Sequence, residues 1–108
     1  MELTKRFSDR ELEQIVEEAT IYMCACPGQV AAQLRSLREL FRYQLQCEVE
    51  PGNDLAVHRA IADATARAHV VMEACMEEVL AIEGWDRKTL QMPEGLRRKR
   101  SDLLAAED

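Results

Sequence analysis

Aromatic residues are scarce in this chain: one Trp, two Tyr and two Phe among 108 residues. Sheets draw on aromatic and β-branched residues in alternation, and no such alternating run occurs, which excludes a sheet as the organising element. Proline and glycine are also sparse, at three and four, so a loop-rich or disordered polypeptide is excluded as well. No apolar stretch approaches the ~20 residues of a membrane span, so no membrane partner is expected. The opening residues, Met1-Glu2-Leu3-Thr4-Lys5-Arg6, lack the apolar centre of an export signal, and the expected location is cytoplasmic. Lys and Arg number 14 against 20 Asp and Glu. The resulting formal charge of −6 disfavours nucleic acid as a partner, because phosphate would be repelled.

Ala, Leu, Glu, Gln and Arg are abundant instead. They form helices readily, and a hydrophobic content of 47% supplies one core for a chain of this length. Three helices are expected, over about 8–26, 29–48 and 54–83. Ser8 followed by Glu11 is a capping-box pattern, after which Leu12, Ile15, Val16, Ala19, Met23 and Cys26 recur at helical spacing. Pro27 biases Cys26 out of the α region, which sets the expected end of the first helix at the cysteines. Val30, Leu34, Leu37, Phe41 and Leu45 mark the second helix, which stops before the turn signature Glu50-Pro51-Gly52-Asn53. Asn53 or Asp54 caps the third. Its apolar stripe reads Val57, Ile61, Ala64, Ala68, Met72, Cys75, Val79 and Ile82, up to Gly84 as a C′ glycine. Short connections make consecutive helices antiparallel neighbours. The fold class is therefore all-α, an antiparallel three-helix bundle.

Beyond Trp85 the pattern loosens. Trp85, Leu90, Met92 and Leu96 are separated by polar residues, Pro93 and Gly95, and a short amphipathic end follows at Leu103-Leu104-Ala105. The division implied is a helical bundle over 1–85 and a partly helical extension over 86–108. The extension packs on the bundle or on a partner subunit. Helix three, at about 30 residues and ~45 Å, outruns its neighbours of roughly 30 Å. Its apolar end, with Met76, Val79, Leu80 and Ile82, needs a cover from the extension or from a second copy, and a homodimer is expected. The basic run at 97–100, Arg-Arg-Lys-Arg, is read as a solvated tail that offsets the acidic body.

The four cysteines carry the most suggestive chemistry, above all in Met23-Cys24-Ala25-Cys26-Pro27-Gly28. Matching levels along antiparallel helices brings Cys24, Cys26 and Cys75 to one end of the bundle, beside Met23, Met72 and Met76. Cys47 falls roughly 30 Å away. His69, about a turn from Met72, could complete a ligand set of Cys24, Cys26, Cys75 and His69 for a soft or borderline metal: zinc, copper(I) or an iron–sulfur cluster. Against it, C-x-C is tighter than the usual C-x₂₋₄-C spacing of structural zinc. Free cysteine and methionine also pack bundle ends without any ligand. No cofactor is certain. A disulfide from Cys24 or Cys26 to Cys75 is the redox version of the same cluster.

His58 and His69 sit at the stripe edges, where histidine is usually a half-exposed packing residue. No inward Glu-x-x-His pair exists for a di-iron site, and no His-Asp pair can be placed beside a cysteine. An enzyme is not expected. The sequence points first to a small helical interaction or structural module of unknown partner, and second to a metal-binding or thiol-redox protein built on the cysteine cluster.

Overall fold

The computed structural model describes residues 2–21, 26–50, 52 and 54–95, with only the backbone at residue 21. It is all-α: α1 (Asp9–Ile21), α2 (Cys26–Glu48) and α3 (Leu55–Glu83) pack together, with no strand among the described residues. α2 is the shared element, with α1 and α3 both packed against it. The molecule measures 60 × 26 × 18 Å, a slab about two helices deep.

The helix ends follow from local chemistry. Ser8 and Glu11 form a reciprocal box: Glu11 N–H donates to Ser8 Oγ at 3.0 Å, and Ser8 N–H to Glu11 Oε1 at 2.9 Å. Asp54 Oδ1 accepts from the amides of Ala56 and Val57 and opens α3. Gly84, at φ 77°, closes α3, and its N–H and that of Trp85 return to the carbonyls of Ala81 and Leu80.

One boundary differs from the sequence expectation. Pro27 does not follow a helix that ends at Cys26; α2 itself begins at Cys26, so Pro27 lies in its first turn. A missing N–H costs nothing there, and the fixed φ suits the helix. Gly28 follows for a packing reason, since a Cβ at this position would lie 3.0 Å from the Cβ of Ala19. The absent side chain lets α1 and α2 approach closely.

The apolar core is one cluster at the α1/α2 end: Phe7, Leu12, Ile15 and Ala19 meet Ala31 and Leu34 of α2, and Met76 and Leu80 of α3. Trp85, Leu90 and Met92 complete it, so residues just after α3 pack onto the helix end. A tight turn aims Leu90 inward. Asp86 Oδ1 accepts from Lys88 and Thr89 N–H, Leu90 N–H donates to Asp86 O at 2.7 Å, and Leu90 takes a φ of 58°. Leu96 and the basic run at 97–100 lie outside the described residues.

α3 departs most from expectation. The face it turns to the rest of the bundle is Ala62, Thr65, His69, Glu73, Met76 and Leu80. The expected stripe lies one residue back, about 100° around the helix. Of its members, Met72, Cys75 and Val79 are half-buried, whereas Val57, Ile61, Ala64, Ala68 and Ile82 are exposed, Ile82 by 76%. The polar side of this helix faces in because the groups it meets on α2 and the N-terminal arm are polar too.

Candidate functional site

Those polar groups form a buried latch. Arg38, on α2 between Leu34 and Phe41, is 4% exposed and spends its guanidinium on four acceptors. Nε donates to His69 Nε2 at 3.0 Å and Nη1 to Asp9 Oδ1 at 2.6 Å. Nη2 donates to Glu73 Oε1 and to the carbonyl of Phe7, each at 2.6 Å. Glu73, 1% exposed, accepts through Oε2 from the amides of Arg6 and Phe7. A buried charge pair is tolerable only when its remaining lone pairs and protons are satisfied, and the backbone of residues 6 and 7 does that here.

The arm before α1 is held from its other side as well. Arg87 lies 4.1 Å from the centre of the Phe7 ring, donates to the Arg6 carbonyl, and binds Glu77 and Glu11. Its neighbours raise its pKa, Glu77 foremost through hydrogen bonding. Hydrogen bonding from Arg38 holds the carboxyl of Asp9 below the usual range. His69 accepts at Nε2, so its proton sits on Nδ1, a buried atom with no hydrogen-bond partner among the described residues. Burial, the largest influence, pushes the His69 pKa down, as do Arg38 and Lys5; Glu73 at 3.3 Å opposes them. The imidazole is therefore neutral at pH 7. These residues engage one another and the backbone, and the arrangement acts as a fastener.

The cysteines are placed as follows. Cys26 is exposed at the head of α2 and shares a shallow hollow with Val30, Gln33 and Met72; Cys75 is half-buried on α3. Cys47 is buried near the far end of α2, as level-matching implied. Cys24 lies outside the described residues. His69 belongs to the Arg38 latch. Among the described residues no group of three or more His, Cys, Asp or Glu is arranged to hold a metal.

The second feature is the outward face of α3. Val57, Ile61, Ala64, Ala68, Val71, Cys75, Glu78 and Ile82 follow one another at alternating spacings of four and three. That is the period of a coiled-coil seam, and only Glu78 interrupts its apolar character. Val57 is 51% exposed and Val71 66%. The neighbouring flank of α2 continues the surface with half-buried Val30 and Leu37 and exposed Leu40. α1 lies across the opposite groove, where Gly28 meets Ala19 and Arg38 meets Asp9. Six of the eight seam residues stand in the stripe expected from the sequence, which held Met72 and Val79 where the seam has Val71 and Glu78; the outward direction of the face was not legible. Arg38 and Glu73 were missed as a pair, although Arg38 sits at helical spacing between Leu34 and Phe41, a position normally apolar.

No family model, no curated protein and no solved structure matches this chain.

Proposed function

We propose that this protein is a helical interaction module whose working part is the outward seam of α3 with the adjoining flank of α2. One observation carries the reading. α3 buries a stripe containing His69 and Glu73 while presenting Val57, Ile61, Val71 and Ile82 to solvent. Helices that only support a monomer turn their apolar side inward, because each wetted Val or Ile side chain forgoes roughly 1.5–3 kcal/mol of burial. A contiguous apolar face on one helix pair is the usual mark of a docking surface. The latch serves the same end. It fastens the N-terminal arm and α1 to the opposite side, so the docking side is presented on a rigid support.

The test is an environment-sensitive apolar dye applied at nanomolar protein concentration. Dye fluorescence should rise with the native chain, fall sharply in Val71→Glu, and persist in Val70→Glu, which alters an exposed valine off the seam. Equal binding by all three proteins would remove the seam as the docking surface.

A further inference from the structure

We infer that the occupant of the seam is a second copy of this chain, packed face to face about a two-fold axis to form a four-helix layer from two α2/α3 hairpins. This rests on the docking reading above and adds the identity of the partner.

Three features favour self-pairing. First, the seam repeats every 3.5 residues over the whole helix, from Val57 to Ile82, the period at which two like helices stay in register along their length. A foreign ligand of limited size would need only two or three anchors.

Second, the area suffices. The seam is ~37 Å long, and two adjacent helices of ~10 Å diameter make the face ~20 Å wide. The product, on the order of 750 Å² per copy, is near the roughly 800 Å² each partner contributes to a stable interface.

Third, charge is distributed as self-pairing requires. The chain carries −6 overall, yet Glu78 is the one charged residue of the seam. Two copies can therefore meet without placing a row of like charges in contact, and the face has no basic or acidic array to select an oppositely charged partner. Small residues suit close helix approach: Ala60 flanks the seam on its outer side, and Ala64 and Ala68 lie within it. Exposure agrees, since Val57, Val71 and Ile82 are open to solvent among the described residues, and a second slab would bury them.

The experiment is sedimentation equilibrium of the full chain from 1 to 100 µM, with circular dichroism to confirm that each variant stays helical. We expect a mass of twice 12.3 kDa for the native chain and for Val70→Glu. For Val71→Glu and Ala68→Glu, both altered at exposed positions, we expect dissociation at least tenfold easier. A native dimer that withstands Val71→Glu would overturn the inference by placing the interface elsewhere. A native monomer at 100 µM that still binds the dye through the seam overturns self-pairing and leaves the docking surface for another protein. A monomer without seam-dependent dye binding overturns both.

Discussion

Arg38 and Glu73 meet at 2.6 Å with almost no exposure to water, and the backbone of Phe7 bonds to both of them. This is the point where α2, α3 and the N-terminal arm are tied together.

Glu73→Ala strands the buried guanidinium with only Asp9 as counter-charge and leaves the amides of Arg6 and Phe7 without an acceptor. Truncating one partner of such a pair costs about 3–5 kcal/mol. Urea unfolding should show a loss of that order, with faster tryptic cleavage after Lys5 and Arg6. The paired replacement Arg38→Met with Glu73→Leu should recover part of the loss, because no unpaired charge remains. A single Glu73→Ala chain as stable as the native one would show the latch to be idle.

Stability should fall on mild acidification. The folded protein holds His69 neutral, with its pKa below the ordinary 6.5, so the unfolded chain binds the extra proton more readily. The stabilisation is complete above pH 6.5 and is lost as pH drops below it toward the folded value. Arg38, Lys5 and Glu73 act on the ring, and of these only the Glu73 carboxylate would welcome a second cation. Denaturant titrations at pH 7.5 and 5.5 check this: His69→Gln should flatten the slope between them, and an unchanged slope would rule His69 out as its source.

Gly28→Ala sets two opposed effects against each other. Alanine gains up to ~1 kcal/mol in helix propensity. Its Cβ, however, arrives 3.0 Å from the Cβ of buried Ala19, and overpacking of that kind costs typically 1–3 kcal/mol. A net loss of about 1 kcal/mol is expected, and Ala19→Gly in the same chain should relieve it. Thermal melts of the two variants decide the sign.

Arg87→Leu should loosen the arm by about 1–2 kcal/mol through loss of its stacking on Phe7 and its carboxylate partners. Lysine should not rescue it, since one ammonium cannot lie over the ring and also reach the Arg6 carbonyl and two carboxylates. Hydrogen exchange at the amides of Arg6 and Phe7 reports the effect directly.

The parts of this fold that could be read from sequence are those set by near neighbours. Ser8 with Glu11, Asp54 and Gly84 mark helix ends through bonds that span a few residues, and Leu12, Ile15 and Ala19 announce the buried side of α1. α3 was legible as a helix but not in its orientation. Its apolar periodicity is real, yet its direction is set by Arg38, 35 residues away from Glu73, and by an arm farther still. Pro27 misled for a related reason: the same residue ends one helix or starts the next, depending on where the preceding chain goes. Of the proposed set of Cys24, Cys26, Cys75 and His69, Cys24 lies outside the described residues, and the bond from Arg38 to His69 joins residues too far apart in sequence for helix levels and phase to reveal.

Phe7 packs beneath Arg87, and Leu90 and Met92 close the same cluster, with the Met92 amide bound to Glu18. During synthesis the helices can form as they emerge, but the core gains its cover only once Leu90 and Met92 have left the ribosome. Nascent chains stalled earlier should expose Leu12, Ile15 and Leu34 and depend on chaperones. The closing step joins segments some eighty residues apart and should be the slowest event of folding, because loop entropy is spent before the contacts that offset it.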